Sequence, residues 1–448
     1  MDEQALEHWI AEVAGRPVLH LDRVGYGASR ATYIADLGGN DLVARVDTGD
    51  GPMAGTELSL HREAEVYRAL ASTGVRIPKL QTESADGTTL LIERASGTHE
   101  MTGITDEDRL AVYDDYIDAL SELHRIDART LSLPSYRHPT DPPSNARQEL
   151  DLWGTILDTR TTSPWPLAHF ARAVLDQCAP THVSRTVLCH GDVGPGNFMH
   201  DGRRVTALLD WEFSHLGDPM DDLGWWVFRG HDMAGDCGDL AAQFRRWSAA
   251  TGLPVDARSV EYYRAFVMLR WLISVASALD NGGGGMDRSV YFGLVPVLAV
   301  RLTRALASLL EHPLEPVHLP PAGQPSTTAA VIEALAADLR GVIGPSVTTS
   351  EARRRLMAAE LYLSHLHAVD CAGGELRRAT LADTEHLVGT RPEDEHEAAR
   401  LVAGFVRSSG VSFDQALGWF WRDAHRQVAL WPMVVPRALA EPTAIPTI

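Results

Sequence analysis

The sequence predicts a bilobal α+β protein: a sheet-rich amino-terminal lobe, a helical carboxyl-terminal lobe, and a small all-α domain at the end. Three observations carry this. Strand-like runs separated by Gly, Asn and Asp turn signals fill the first hundred residues. Helical patterns dominate from residue 106. A stretch rich in Pro, Gly, Ser and Thr at 312–328 then separates off a last set of helical patterns. A length of 448 residues calls for two or three packing units, at roughly 150 residues per domain. That size favours an enzyme over a small binding module.

The amino-terminal lobe is expected over residues 1–97. Its first residues, MDEQALEHWI, are acidic and helix-like and lack the basic-then-apolar order of an export signal, so cytoplasmic residence is expected. Strands are expected at 18–22, 32–36, 41–46 and 89–93. One helix is expected at 57–72, where Leu58, Leu60, Ala64, Val66, Tyr67 and Leu70 share a face and Gly74 follows as a stop.

The second lobe is expected over 98–311. Leu110, Tyr113, Tyr116, Ile117, Leu120 and Leu123 form one stripe, and helices follow at 167–178, 239–251, 260–279 and 291–311. Two short apolar runs, 186–189 and 205–209, are expected to pair as strands around a loop. The glycines at 282–285 read as a connection between helices. Beyond the linker at 312–328, helical patterns at 331–342, 350–368, 393–408 and 413–430 make 329–448 a helical domain of unknown role and a candidate homodimer surface.

Composition narrows the function. With 45% hydrophobic and 22% charged residues the chain has material for large cores. A formal charge of −20 opposes phosphodiester backbones and anionic lipid, so neither nucleic acid nor membrane is expected as a partner. The apolar stretches 266–279 and 294–310 are interrupted by Arg270, Arg301 and Arg304 and fall short of ~20 uninterrupted apolar residues. Cys178, Cys189, Cys237 and Cys371 are far apart and read as reduced, mostly buried thiols. His365, His367 and Cys371 lack a fourth ligand, and the two histidines lie on different helix faces. Trp225 and Trp226 read as packing residues. Lys79 is the single lysine, so nearly all positive charge is arginine.

The chemistry is concentrated in LCHGDVGPGNFMHDGRRVTALLDWEFSHLGDPMDDLGWW, residues 188–226. Asp192, Asn197 five residues later, and Asp210 at the end of a strand suit phosphoryl transfer. One carboxylate serves the attacking hydroxyl, while an amide and a second carboxylate hold Mg²⁺ against nucleotide oxygens.

His190-Gly191-Asp192, Asn197, Asp210-Trp211-Glu212, Gly217-Asp218-Pro219 and Asp222-Leu223, in that order, resemble the aminoglycoside phosphotransferase/choline kinase family of small-molecule kinases. Upstream, Val24-Gly25-Tyr26-Gly27-Ala28-Ser29 resembles its nucleotide loop, and Leu42-Val43-Ala44-Arg45 the strand carrying a phosphate-binding cation. Arg62-Glu63 resembles the helix that supplies the cation's partner, and Leu91-Ile92-Glu93-Arg94 the hinge between lobes. The resemblance covers about residues 15–311 and implies a protein-kinase-like fold with Mg²⁺ and ATP or GTP as cofactors. Asp192 is then the catalytic residue, and Asn197 and Asp210 are the metal ligands. Gly25, Gly27, Ala28, Ser29, Arg45, Glu63, Glu93 and Ala95 bind nucleotide, while His190, Asp218 and Asp222 brace the loop.

Kinases usually place lysine where Arg45 stands. Arginine keeps the charge and can fork onto two oxygens, and a branch associated with acyl-CoA dehydrogenases has arginine on this strand. The implied substrate is therefore a hydroxylated small molecule, with a hydroxyacyl compound or its CoA thioester preferred. An aminoglycoside or other antibiotic is the alternative, and a nucleotide-binding pseudokinase that engages a partner protein is the alternative of a different class.

Overall fold

The computed structural model describes residues 2–24, 30–49, 51–281, 288–408 and 412–448. The expected nucleotide loop, with Gly25, Gly27, Ala28 and Ser29, and the glycines at 282–285 lie outside the described residues.

The chain opens with helix α1 (Glu3–Ala14), whose first turn is capped by the Asp2 carboxylate accepting the Ala5 N–H. Strands β1 (His20–Val24), β2 (Ala31–Asp36) and β3 (Leu42–Val46) precede helix α2 (Leu60–Leu70), and β4 (Leu80–Glu83) and β5 (Thr89–Glu93) follow it. They form one antiparallel sheet in the order β1-β2-β3-β5-β4. Strand β4 was not expected from the sequence. It is four residues long, lies at the sheet edge and contains only Leu80 as a strongly apolar residue, too little for a period-two signal.

Alternation along the strands gives the sheet two faces. Ala31, Tyr33 and Ala35 of β2, Leu42, Ala44 and Val46 of β3, and Leu91 of β5 pack under Leu6 and Ile10 of α1. The intervening residues Thr32, Ile34, Val43, Arg45 and Ile92 line a cavity on the opposite face. That parity puts Arg45 in the cavity.

The second lobe contains α3 (Asp106–His124), α4 (Ser144–Arg160), α5 (Pro166–Gln177), the short strands β6 (Val187–Cys189), β7 (Phe198–His200), β8 (Val205–Leu208) and β9 (His215–Gly217), then α6 (Met220–Trp225), α7 (Leu240–Thr251), α8 (Ala257–Asn281) and α9 (Arg288–Leu309). Helix α6 continues into a wider π-type turn, Trp226–Ala234. The pairing expected between 186–189 and 205–209 does not form: β6 pairs with β9, and β8 pairs with β7, both antiparallel. Strands of three or four residues carry almost no register information, so their partners are set by packing. Helix α4 was missed because Pro142 and Pro143 ahead of it resemble loop chemistry, yet Leu150, Trp153, Ile156 and Leu157 are buried.

Trp225 and Trp226 are fully buried packing residues, as expected. Cys189 and Cys237 are buried, while Cys178 and Cys371 are half-buried, and all four are free thiols.

The carboxyl-terminal third comprises α10 (Thr327–Asp338), α11 (Ser350–Ala368), α12 (Gly374–Val388), α13 (Glu395–Arg407), α14 (Phe413–Ala429) and the short α15 (Val435–Leu439). Helix α12 was not expected. Helices α13 and α14 share the main apolar core: Val402, Val406, Leu417 and Phe420 join the second lobe's cluster, and the Phe420 ring stacks on Phe170 of α5 at 4.8 Å. The stretch at 312–326 has no regular structure but is tied down, Trp421 donating to the Glu315 carbonyl and Gly323 to that of Cys371. Among the described residues one helix, Val290–Leu309, is long and apolar enough to cross a membrane, and 72% of that window is buried in the fold.

Candidate active site

The loop between β6 and β7 is built backwards from α6. The Asp222 carboxylate accepts the backbone N–H groups of His190 at 2.7 Å and Gly191 at 2.9 Å. The same group accepts from His124 Nε2 at 2.9 Å, and Trp247 Nε1 donates to His124 Nδ1. This leaves the Nε2–H tautomer on His124. Glycine is required at 191: φ is +79°, and a Cβ there would meet the Phe213 carbonyl oxygen at 2.0 Å. Asp218 sits at the other end of the same turn, where its carboxylate accepts the Met220 N–H at 3.0 Å. Burial pushes the Asp218 carboxyl up to about 7.

His190 couples the loop to the second acidic position. Its Nδ1 accepts the Asp192 N–H at 3.3 Å, and its Nε2 donates to the Leu209 carbonyl at 2.8 Å. Burial holds the imidazole below its ordinary pKa, consistent with a neutral ring that touches backbone at both nitrogens. Asn197 donates its amide to the Asp192 carbonyl at 2.8 Å and to the Asp192 carboxylate, and its own carbonyl accepts the Leu209 N–H at 2.9 Å. Asp192, Asn197 and the strand leading to Asp210 are therefore one hydrogen-bonded unit.

Asp210 lies two residues beyond the end of β8 with φ +64°, a left-handed conformation that Asp tolerates better than most residues. From the sheet above, Arg45 spans two acids, donating to Glu63 of α2 at 2.8 Å and to Asp210 at 2.7 Å. Burial opposes the charge on Arg45, but Asp210 and Glu63 outweigh it and hold the guanidinium well above its ordinary pKa. Burial likewise raises Glu63, with Asp210 adding to it and Arg45 opposing. For Asp210 the cost of burial is overcome by Arg45, which keeps it ionised. Glu212, two residues on, is pushed up to about 8 by burial and by the Asp210 charge. Glu63, Asp210 and Glu212 present carboxylate oxygens within 4.8 Å of one another. Hard oxygen donors of this kind, with the Asn197 amide nearby, suit a small divalent cation such as Mg²⁺.

The cavity beside these groups has a volume of about 470 Å³. Ile34, Val43 and Ile92 of the sheet face Met199 and Leu209 of the second lobe across it, while Arg45, Asn197, Asp210 and Glu212 form its polar end. That is the shape and polarity of a small-molecule site. Glu93 and Ala95 line it at the lobe junction. The Glu93 carboxylate itself takes a hydrogen bond from Gln81 and lies 3.7 Å from Lys79. The connection between lobes is pinned by Thr98, which exchanges backbone hydrogen bonds with His200.

Two residues take parts here that the sequence did not assign them. Arg229, on the π-type turn, donates to the carbonyls of Asp192 and Pro195 at 3.0 Å each, and its Nη1 lies 2.6 Å from Asp192 Oδ1. No local pattern links positions 37 apart. Glu212 did have a signal, since it follows Asp210 at spacing two just past a strand. Arg270, a candidate cation for an anionic substrate from the sequence, instead grips the Asp221 carboxylate bidentately at 2.7 Å on both oxygens.

Residues 20–259 match the phosphotransferase enzyme family. Acyl-CoA dehydrogenase family member 10 of Mus musculus is 28% identical over 240 residues, covering 50% of this chain and 22% of that protein. The chain thus spans about a fifth of the length of that relative. Hygromycin-B 4-O-kinase of Escherichia coli is 23% identical over 219 residues, covering 45% of this chain and 60% of that protein. Among solved structures, choline kinase from Streptococcus pneumoniae superposes with a TM-score of 0.51 at 17% identity, covering 68% of this chain and 99% of that one. At that identity the likeness concerns the fold.

Proposed function

The chain belongs to the phosphotransferase enzyme family, and from that premise we propose that it transfers the γ-phosphoryl group of ATP or GTP to a hydroxyl of a small molecule with the aid of Mg²⁺. The observation that carries this reading is the convergence of two bonded sets, Asn197 with Asp192 and Asp210 with the Arg45–Glu63 pair, of which Asn197, Asp210 and Arg45 line one 470 Å³ cavity.

In this reading the apolar slot between Val43 and Ile92 above and Met199 and Leu209 below takes the nucleotide base, with Glu93 and Ala95 at its edge. Arg45, oriented by Glu63, contacts phosphate oxygens. Asp210 and Glu212 hold the cation together with the Asn197 amide oxygen, since the Asn197 nitrogen is committed to Asp192. Mg²⁺ held there would supply neutralisation of the phosphate charge. Asp192 accepts a hydrogen bond from the substrate hydroxyl and aims it. Because phosphoryl transfer states are loose, its contribution is mostly position and charge. Arg229 fixes the Asp192 carboxylate in that pose. His190 and Asp222 stay behind the loop as positioning residues, as does Asp218 at the next turn.

A hydroxyacyl compound or its CoA thioester is the preferred acceptor. Arg45 in place of lysine and the stretch 210–226 support this, as does the similarity to a protein named as an acyl-CoA dehydrogenase family member. The similarity to a hygromycin kinase supports an antibiotic acceptor as second reading. The presence of every residue type the chemistry requires favours catalysis over a nucleotide-binding pseudokinase.

The test is nucleoside diphosphate release with Mg²⁺ and ATP or GTP against a panel of hydroxyacyl compounds, their CoA thioesters and hygromycin B, with ³¹P NMR on the product. Substrate-stimulated turnover that falls by roughly 10²–10⁴-fold in Asp192→Ala, the range for loss of an acid–base group, is expected. Nucleotide binding with no stimulated turnover by any acceptor would sink the enzymatic reading.

A further inference from the structure

The end of the chain folds back over α8 and α9 and encloses a second cavity of about 190 Å³, every lining residue of which lies beyond the matched residues 20–259. Three guanidiniums, Arg264, Arg301 and Arg304, and one carboxylate, Glu261, line it, beside Ser308 and Ala440. Its wall therefore carries an excess of two positive charges in a chain whose formal net charge is −20.

Apart from the Arg264–Glu261 pair, the hydrogen bonds of these arginines go to neutral backbone carbonyls. Arg301 donates through Nε and Nη2 to the Arg437 carbonyl at 3.1 and 2.8 Å, Arg304 to that of Ala440 at 3.1 Å, and Arg264 to that of Thr443 at 2.7 Å. Glu261 pairs with Arg264 at 2.6 Å. Two further acids stand outside the lining and at ion-pair range only: buried Asp232, 3.7 Å from Arg264 and 3.8 Å from Arg301 with one oxygen taken by the Thr443 N–H, and exposed Glu441, 3.7 Å from Arg304. The side chains of Arg264 and Arg301 are 6% and 4% exposed, and the buried Arg264 Nε and Arg301 Nη1 have no hydrogen-bond partner among the described residues. Buried donors on a charged group are costly to leave unmade. Burial and the neighbouring Arg437, Arg304 and Arg264 hold Arg301 below its ordinary pKa, with Asp232 opposing.

We propose that this cavity is an anion site that takes a phosphate dianion, either free or as the end of a phosphomonoester. Guanidinium forks match phosphate oxygens in geometry, three of them line the cavity with buried N–H donors still to satisfy, and the volume leaves room for little beyond a phosphate and a short ester arm. The C-terminal segment, by supplying the backbone carbonyls that hold all three arginines in place, is what builds it.

The test is isothermal titration of the full chain with inorganic phosphate and, separately, with glycerol 3-phosphate. One saturable site is expected, weakened roughly tenfold in both Arg301→Gln and Arg304→Gln, the loss of about one charge-assisted contact. Arg45→Gln, which removes the cation of the nucleotide cleft, is expected to leave it unchanged. Tighter binding of glycerol 3-phosphate identifies a phosphomonoester as the ligand, and equal or weaker binding identifies free phosphate; either supports the site. Arg304 is partly exposed, so its variant remains informative if Arg301→Gln fails to fold. Absence of saturable binding to wild type, or binding lost in Arg45→Gln and intact in Arg304→Gln, would overturn the proposal without touching the phosphotransferase reading.

Discussion

The molecule contains two arginine–carboxylate systems of the same chemistry and opposite character. Arg270 and Asp221 are each 1% exposed, joined by two parallel bonds of 2.7 Å, with His215 Nε2 3.1 Å from the same carboxylate. Burial opposes ionisation of Asp221, yet Arg270 and His215 hold its carboxyl down to about 2. Arg45 instead divides its fork between acids on two different elements, the Asp210 side chain is 33% exposed, and a 470 Å³ cavity opens beside it. The first system is closed on itself and stabilises the second lobe. The second crowds three carboxylates within 4.8 Å and has charge to offer an incoming cation and phosphate. Proximity to a sequence motif does not distinguish them, because Asp221 and Asp210 are both within 188–226. Exposure and commitment of the fork do.

Breaking the closed pair is the harshest test of that contrast. Arg270→Leu is expected to cost about 3–5 kcal/mol of stability, since it leaves a buried carboxylate without its main partner, measurable by urea unfolding. A loss below about 1 kcal/mol would place Arg270 with the dispensable surface pairs.

Gly191→Ala comes next. A Cβ at φ +79° against the Phe213 carbonyl forces the loop to shift, at roughly 1–3 kcal/mol, and activity is expected to fall further than stability because Asp192 is the next residue. Equal Tm and turnover to wild type would show that the loop tolerates movement.

Arg45→Lys probes the open pair. A lysine ammonium lacks the two separate nitrogens that reach Glu63 and Asp210, so nucleotide affinity is expected to drop by roughly tenfold while the unfolding midpoint changes little. Tighter nucleotide binding by the lysine variant would mean that the division of the fork is no part of the site.

The smallest effect concerns Asp218. Its folded-state carboxyl lies at about 7 because of burial, above the ordinary value of about 3.9. Between those values the folded chain keeps a proton that the unfolded chain has released, so this group's contribution to stability falls as pH rises through the window and is lowest above about 7. Asp218→Asn retains an oxygen acceptor for the Met220 N–H and cannot ionise. Its Tm is expected to exceed wild type by a few degrees at pH 8 and to converge on it near pH 4. Parallel Tm curves for the two proteins across pH 4–8 would exclude that linkage.

Much of this molecule was legible in advance, for identifiable reasons. The α2 stripe from Leu60 to Leu70 and the β3 alternation that turns Arg45 away from Ala44 and Val46 are periodic signals, and the structure follows both. Asp192 and Asn197 are five residues apart on one loop, so their spacing alone brings them together. The failures share a different feature. Strand β6 chose β9 over β8, and β4 was invisible, because segments of three or four residues have no period to read. Helices α13 and α14 looked like a separate unit, and only their packing against Phe170 and the second lobe's core revealed a shared interior.

Local physics, written in residue periodicity, turn chemistry and short spacing, decided which segments became strands and helices and which loop carried two acids and an amide. The pairings that make a site came from elsewhere: Arg45 meets Glu63 across 18 positions and Asp210 across 165, and Arg229 reaches Asp192 across 37. Such meetings depend on how lobes and helices pack, and packing is a property of the whole apolar interior that no window of neighbouring residues contains.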